Sequence, residues 1–169
     1  MIDAIKKRRS HRQFLDKPVE DSKIKEILKA AMFSPSAHHN RAWEFIVVKD
    51  LETRVKLSDA TKYTLCAKQA PVVIVLTSPE KHCWLEDLSI VGEIIYLQVT
   101  ELGLGTCWMQ LRDLTTPEKP DPEGYVREIL SIPADRRVLC FFPMGYPKTK
   151  LPEHTDSEFE ENKIHYEKW

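Results

Sequence analysis

Glycine is scarce in this sequence, which has five glycines among 169 residues. The phosphate-binding loops of two large nucleotide-binding classes need glycines at fixed spacings, GxGxxG for dinucleotides and GxxxxGK(S/T) for the P-loop. The closest pair, Gly103 and Gly105, has no third glycine three residues further on. The sequence therefore disfavours NAD bound in the Rossmann manner and ATP bound in the P-loop manner.

Closely spaced cysteine pairs are also missing. The four cysteines are scattered at positions 66, 83, 107 and 140, whereas a zinc site or a disulfide framework would show paired spacings. We interpret the cysteines as buried free thiols of a protein in a reducing compartment. The adjacent residues His38 and His39 have no suitably spaced partners, so no metal site is predicted.

The chain has neither a strong charge of one sign nor a long apolar run. Its formal net charge is −1, so no overall field would draw it to DNA or to an acidic membrane. The apolar runs PVVIVL and VLCFF are too short to span a bilayer. The start MIDAIKKRRS lacks the apolar stretch of a secretory signal. We therefore predict a cytoplasmic protein that binds neither nucleic acid nor a membrane.

What the sequence does contain is an alternation of helical and extended patterns. Apolar residues at helical spacing over residues 24–31 predict an amphipathic helix, and the β-branched run 70–76 predicts a strand covered on both faces. The most apolar helix is predicted over residues 85–102, ended by Gly103, in the core or at a subunit interface. Shorter helices are predicted at the N-terminus, 51–60 and 123–130, and strands at 43–48, 105–109 and 138–142.

The order of these elements predicts one α+β domain over residues 1–169, with a central mixed β-sheet flanked by helices. Residues 148–169 differ in composition, because they are charged and polar and lack a core-facing stripe. This segment nevertheless contains Phe159, Ile164, Tyr166 and Trp169. We interpret it as an extended tail that lies on another surface.

Three polar residues alternate in the stretch RRSHRQF: Arg8, Ser10 and Arg12. If the backbone is extended there, the three side chains point to one side. Two guanidiniums and a hydroxyl on one side suit a phosphate monoester, because arginine donates forked pairs of hydrogen bonds. A solvated basic helix end with no ligand is the alternative. Nucleic-acid binding is disfavoured, because no aromatic stacking platform accompanies the cluster.

Several segments together resemble the nitroreductase-like FMN flavoenzymes. RRSHRQF is similar to the N-terminal RxSxRxF signature of that family, and SPSAHHNRAWEFIVV is similar to its second signature, usually PSxxNxQPWxF. QAPVVIVL, TELGLGTCWM and FFPMGYP follow in the order typical of the family. The tail FEENKIHYEKW resembles that of short members, so the resemblance spans almost the whole chain.

The resemblance implies a nitroreductase-like sandwich that forms a homodimer, with FMN at the subunit interface and the tail wrapped around the partner. NAD(P)H would reduce the flavin, and an electron-poor acceptor such as a nitroaromatic or a quinone would reoxidise it. The flavin carries the chemistry, so no catalytic side chain is predicted. The implied phosphate and ribityl ligands are Arg8, Arg9, Ser10 and Arg12. The loop that covers the flavin from the other subunit would contain Pro35, Ser36, Ala37 and His39. The backbone that faces the flavin N5 would be that of Met109, Gln110 and Leu111.

The chain departs from the family pattern at four places, one of which is Leu111, near which many relatives carry a glycine. His39 replaces the usual asparagine, and Arg41-Ala42 replaces the usual Gln-Pro, so His39 is a candidate substrate contact and the substrate stays open. Glu158 stands where short relatives carry a basic phosphate ligand, for which Lys148 or Lys150 could substitute. Three alternatives therefore stay open: a specialised flavin dehydrogenase, dehalogenase or flavin-consuming enzyme, a flavin-binding protein without turnover, and a small basic interaction module.

Overall fold

A five-stranded antiparallel sheet lies at the centre of the structure, a computed structural model that describes residues 1–117 and 119–169. The strand order is β1-β2-β5-β3, and β4 also pairs with β5. The prediction of a mixed sheet is wrong, because every pairing between these strands is antiparallel. A parallel pairing occurs in the described part of the chain as an isolated bridge between Ser10 and Thr106. The strands are β1 (Glu44–Val48), β2 (Val72–Pro79), β3 (Gly105–Thr106), β4 (Met109–Gln110) and β5 (Arg136–Gly145).

Helices cover both faces of the sheet, which confirms the predicted α+β class. Helices α2 and α4 pack on one face, and α3 and α5 pack on the other. No helix in the described part of the chain is long and apolar enough to cross a bilayer. The α-helices are α1 (Asp3–Lys7), α2 (Asp21–Met32), α3 (Leu51–Ser58), α4 (Trp84–Glu101) and α5 (Pro122–Ile129). Short 3-10 helices lie at Ala37–His39, Leu65–Lys68, Asp156–Glu158 and Glu161–Lys163.

Strand β2 is buried on both faces, as its apolar run predicts. Val72, Ile74 and Leu76 belong to the cluster under α2 and α4. Val73 and Val75 belong to the cluster under α3 and α5. Because successive side chains of a strand point to opposite faces, a strand with helices on both sides needs apolar residues at every position.

The long helix α4 follows the predicted apolar pattern and ends where expected. Its stripe Leu88, Val91, Ile95 and Val99 is at most 1% exposed, whereas Ile90 on the opposite side is 41% exposed. Gly103 follows the helix with a φ of +71°, a left-handed conformation that glycine adopts without a steric penalty. The following amide, Leu104 N–H, donates to the Val99 carbonyl at 3.0 Å and closes the helix end.

The edge of the sheet beside β5 is one interrupted strand. A continuous strand over residues 105–109 is predicted, but the structure has β3 and β4 separated by Cys107 and Trp108. Both pieces keep one register, which places Pro143 of β5 opposite the interruption. Proline has no N–H to donate to the ladder. The backbone N–H of Trp108 donates instead to the hydroxyl of Tyr96, a residue of α4, at 2.6 Å. This edge of the sheet is therefore attached to α4.

The tail, residues 148–169, returns along the start of the chain. The His154 N–H donates to the Lys6 carbonyl at 2.9 Å, and Arg9 Nε donates to the Pro152 carbonyl at 2.7 Å. Beyond this attachment the aromatic residues are uncovered, with Phe159 66% exposed and Trp169 100% exposed. That the tail wraps around a partner subunit stays a prediction.

Candidate functional site

A cavity of about 750 Å³ lies where three separate segments meet. Arg12 comes from the first segment, RRSHRQF, and Met109 and Gln110 come from β4. The remaining wall is the segment between α3 and β2, which includes Lys62 and Lys68. Two of the segments predicted to bind a flavin, the first and the third, therefore reach one cavity.

The electrostatics of this cavity favour an anionic ligand. Arg12, Lys62 and Lys68 line it, and its described lining residues include no carboxylate. A cleft lined by charges of one sign concentrates its field and attracts ligands of the opposite sign. The cavity therefore suits a molecule that carries phosphate or carboxylate groups.

The thiol of Cys66 also lines the cavity, but it is poorly suited to act as a nucleophile. Burial raises its pKa to about 11, and the nearby Arg12 charge, which acts in the opposite direction, is the weaker influence. The thiolate is the reactive form of cysteine, and it is scarce at neutral pH when the pKa is this high. All four cysteines are free thiols, and all but Cys83 are buried.

The indole of Trp108 forms a rigid part of the cavity wall. It packs against α4 at Gly92, where a Cβ would lie 2.4 Å from Trp108 Cζ3. It also makes an edge-to-face contact with Phe142, with ring centroids 5.4 Å apart. Its Nε1–H donates to Gln110 Oε1 at 2.8 Å, and Gln110 Nε2 donates in turn to the Arg112 carbonyl at 3.0 Å. These contacts fix both the indole and the Gln110 amide.

Arg8 and Ser10 both contact Tyr96, in α4. Ser10 Oγ is 3.2 Å from Tyr96 Oη, and the Arg8 guanidinium lies 5.3 Å from the ring centroid. Arg8 lines a separate opening of about 460 Å³ beside the tail, whereas Arg12 lines the 750 Å³ cavity. The prediction that the three alternating side chains share one side is therefore only partly correct. Arg8 and Ser10 lie together at Tyr96, whereas Arg12 lies apart from them in the 750 Å³ cavity.

Arg9, the remaining predicted ligand in the first segment, faces the tail. Its Nη2 lies 3.2 Å from Glu158 Oε1, and His154 Nδ1 lies 2.6 Å from Glu158 Oε2. The hydrogen bond with His154 lowers the pKa of the Glu158 carboxyl. Glu158, noted above as a departure from the family pattern, thus connects the tail to the first segment.

The two lysines considered as substitutes for a missing phosphate ligand lie elsewhere. Neither Lys148 nor Lys150 lines the 750 Å³ cavity, and Lys150 lines an opening of about 390 Å³ together with His11. The cations that accompany Arg12 are instead Lys62 and Lys68. Sequence reasoning missed both lysines, because they lie outside the segments that resemble family signatures.

A compact turn presents Lys62 and Tyr63 to the cavity. The Thr64 hydroxyl, fully buried, accepts the Thr61 N–H at 2.9 Å and donates to a backbone carbonyl of the same turn. The 3-10 helix Leu65–Lys68 follows directly. Threonine hydroxyls stabilise such turns by satisfying local backbone groups. The position of the lysines therefore depends on local hydrogen bonds that a helix-or-strand pattern does not display.

The second predicted segment, Pro35 to His39, lies against the start of α4. The Ala37 N–H donates to the buried Asp87 carboxylate at 2.8 Å, and Ser36 Oγ accepts the Arg41 N–H at 2.9 Å. None of Pro35, Ser36, Ala37 and His39 lines the 750 Å³ cavity of the same chain.

The backbone of this segment adopts an uncommon conformation. His38, His39 and Arg41 have φ values of 51°, 55° and 46°. Such values are rare for residues other than glycine, and they cluster at functional sites. His39 and Arg41, the two departures from the family signature, are both exposed there.

The third predicted segment is divided between the cavity and the core. Met109 and Gln110 line the cavity, but Leu111 is fully buried and does not. The Leu111 N–H donates to the Leu139 carbonyl at 3.1 Å. The side chain of Leu111 therefore cannot contact a ligand in this cavity, and any contact would have to come from its backbone.

Comparison with known proteins identifies the family. Residues 5–70 and 61–146 match the model of the Nitroreductase family. The chain belongs to the nitroreductase family. A protein of Methanothermobacter thermautotrophicus assigned as NADH dehydrogenase/NAD(P)H nitroreductase is 37% identical over 174 residues, which cover 100% of this chain and 87% of that protein. The chain is accordingly an oxidoreductase.

Two further similarities concern a solved structure and the sequence of a more distant protein. A solved structure described as an FMN-dependent nitroreductase from Clostridium difficile is 38% identical, and the match covers 100% of both chains with a TM-score of 0.95. Iodotyrosine deiodinase 1 of Sus scrofa is 26% identical over 176 residues, which cover 86% of this chain and 60% of that protein. The first similarity confirms the nitroreductase fold predicted from the sequence.

Proposed function

We propose that this nitroreductase-family enzyme binds FMN and uses NAD(P)H to reduce an electron-poor small molecule such as a nitroaromatic or a quinone. One observation carries the proposal. Arg12, from the first family signature, and Met109 and Gln110, from the third, line a single cationic cavity. The fold similarity to an FMN-dependent nitroreductase supports the same cofactor.

The residues of the cavity fit FMN in both charge and surface. FMN has a planar aromatic ring and an anionic phosphate on a flexible chain. The cavity supplies the Trp108 indole and the Leu65 and Met109 side chains for a ring, and the Arg12, Lys62 and Lys68 cations for an anion. Its volume of about 750 Å³ is within the usual size range of cofactor sites.

Each of these groups has a distinct proposed role. When bound, FMN supplies hydride acceptance from the nicotinamide and delivery of two electrons to the acceptor. Arg12 would hold the anionic phosphate through a forked pair of hydrogen bonds. Trp108 would orient the ring, because Gly92 and Phe142 hold its indole in place. Within one chain the described lining residues include neither a histidine nor a carboxylate, the side chains that most often act as general acids and bases.

We extend the proposal to a homodimer with FMN at the subunit interface. The segment Pro35 to His39 does not reach the cavity of its own chain, so it is available to cover the flavin of a partner. The exposed aromatic residues Phe159 and Trp169 supply a tail that could lie on that partner. Arg8, Arg9 and Ser10 do not line the cavity of one chain, and we propose them as further ligands of the phosphate end because they directly precede Arg12 in the first segment.

A second candidate function, reductive dehalogenation, is favoured by the similarity to iodotyrosine deiodinase 1. The exposed His39 and Arg41, which replace the usual residues of the second signature, belong to the segment proposed to lie over the flavin. A change of substrate is therefore compatible with an unchanged flavin site. Anaerobic assays with a nitroaromatic, a quinone and an iodophenol as acceptors separate the two candidates.

An absorbance spectrum of the purified protein tests the main proposal. We expect a yellow protein whose flavin absorption is bleached by NADH or NADPH under anaerobic conditions and returns when the acceptor is added. A protein that is colourless and takes up no FMN would refute the proposal. A flavin that binds but is bleached by neither nicotinamide would support the flavin-binding protein without turnover.

A further inference from the structure

The hydroxyl of Tyr96 connects two of the proposed flavin-binding segments. Tyr96 is in α4 and is 7% exposed. Its Oη lies 3.2 Å from Ser10 Oγ in the first segment and 2.6 Å from the backbone nitrogen of Trp108 in the interrupted edge strand. Ser10 is separated from Trp108 by almost a hundred residues in sequence, and one oxygen atom contacts both.

The chemistry of these groups fixes the direction of one of the two hydrogen bonds and leaves the Tyr96 hydroxyl free to donate in the other. The Trp108 N–H can only donate, so Tyr96 Oη is its acceptor. The proton of the Tyr96 hydroxyl is then available for Ser10 Oγ. The Cys107 thiol is also close enough to interact with Tyr96, but sulfur is a weak acceptor and the serine oxygen is the better one.

The consequence concerns the proton of Ser10. If Ser10 Oγ accepts from Tyr96, its own O–H is directed away from Tyr96 and can donate to another group. Consecutive hydrogen bonds that run in one direction polarise one another, so the last donor is strengthened. The Arg8 guanidinium lies over the ring of the same tyrosine, 5.3 Å from its centroid, and a strengthened hydroxyl donor together with a guanidinium is suited to a phosphate.

We propose that Tyr96 is a positioning residue of the FMN site, whose hydroxyl orients Ser10 as a hydrogen-bond donor to the FMN phosphate. The inference rests on the proposed function, because it takes FMN as the ligand. Tyr96 does not touch the reacting atoms, and it acts through Ser10.

The proposed orientation persists through the neutral pH range. Burial raises the pKa of the Tyr96 hydroxyl, so the group keeps its proton when the pH is neutral or mildly alkaline. Titration of Tyr96 itself therefore adds no pH dependence to FMN binding between pH 6 and pH 8.

A double-mutant cycle on FMN binding tests the inference. Apo protein is titrated with FMN, and binding is followed by quenching of flavin fluorescence in wild type, Tyr96→Phe, Ser10→Ala and the double variant. Because one hydrogen bond is removed, we expect Tyr96→Phe and Ser10→Ala each to weaken FMN binding by about three- to tenfold. In the double variant the loss should not exceed that of Ser10→Ala, because Tyr96 acts only through Ser10.

Two further variants separate positioning from a general effect on the fold. Tyr125→Phe removes another tyrosine hydroxyl that donates to a backbone carbonyl, that of Lys56, outside the cavity, and should leave FMN affinity unchanged. Replacement of Tyr96 by para-aminophenylalanine keeps a donor toward Ser10 and should retain most of the affinity. This variant also decides the question if Tyr96→Phe does not fold.

Each other outcome overturns a defined statement. If the losses in Tyr96→Phe and Ser10→Ala multiply in the double variant, Tyr96 acts through the structure and not through Ser10, and the inference is wrong. If wild type binds FMN and Tyr96→Phe binds it equally, the inference fails while the proposed function stands. If wild type binds no FMN, the proposed function fails, and the role of Tyr96 fails with it.

Discussion

Arg137 donates a forked pair of hydrogen bonds to the Glu123 carboxylate, Nε to Oε1 at 2.8 Å and Nη2 to Oε2 at 3.0 Å. Glu123 is 8% exposed at the start of α5, and its Oε1 also accepts the Val138 N–H at 2.9 Å. The hydrogen bond with Glu123 raises the pKa of Arg137, so the guanidinium keeps its charge. One carboxylate thus attaches α5 to β5.

We predict that Glu123→Gln destabilises the fold. The variant keeps the size of the side chain but replaces one of the two carboxylate partners of Arg137, Glu123 and Glu80, by a neutral amide. Urea denaturation should show the free energy of unfolding lowered by about 1–3 kcal/mol. Glu128→Gln, at an exposed position of the same helix, is the control and should change little. Equal stabilities for the two variants would contradict the assigned role of Glu123.

Gly92 is predicted to be essential for the position of the Trp108 indole. In Gly92→Ala the new Cβ would lie 2.4 Å from Trp108 Cζ3, so the indole must move. Overpacking of this kind costs about 1–3 kcal/mol. The variant should show a lower melting temperature and altered tryptophan fluorescence, whereas Ser89→Ala, on the exposed side of α4, should show neither. An unchanged indole signal in Gly92→Ala would argue against this contact.

His11 gives a prediction about pH. Burial lowers the pKa of His11 from its usual value of 6.5, so below about pH 6.5 the unfolded chain binds more protons at this residue than the folded chain. Stability from this residue is therefore present above that pH and is lost as the pH falls. Melting temperatures between pH 5 and pH 8 should fall more steeply on acidification for wild type than for His11→Gln. His165→Gln, at an exposed position of the tail, should follow wild type, and a wild-type slope in His11→Gln would be the contrary result.

The pattern of the sequence sufficed to predict most of the elements of this fold. Strand β2, helix α4 and the glycine that ends α4 follow from local periodicity and turn chemistry. The direction of strand pairing does not follow from such patterns, because it depends on contacts between distant segments. That is why a mixed sheet is predicted where the observed strand pairs are antiparallel.

The candidate site was only partly predictable for the same reason. Arg12, Met109 and Gln110 belong to segments that resemble family signatures, and they do meet in one cavity. Lys62 is in a turn built by local hydrogen bonds and Lys68 ends the 3-10 helix that follows it, both outside any signature. The contact of Ser10 with Tyr96 spans 86 residues, and no spacing rule along the chain reports such a distance.

The proposed dimer predicts that flavin and subunits dissociate together. Because each FMN would be held by two chains, dilution below the dimerisation constant should release FMN as well as monomers. Sedimentation velocity recorded at the flavin absorption band follows both at once. A monomer that retains its full complement of flavin would contradict an interfacial site.

The most direct test of the account is the affinity of the apo protein for FMN with and without Arg12. Because Arg12 is the arginine of the first signature that lines the cationic cavity, loss of its forked contact in Arg12→Ala should weaken binding about 100-fold. Lys148→Ala, which removes an exposed cation outside the cavity, should leave the dissociation constant unchanged. A titration by fluorescence quenching in which wild type and Arg12→Ala give the same dissociation constant would contradict the placement of FMN in this cavity.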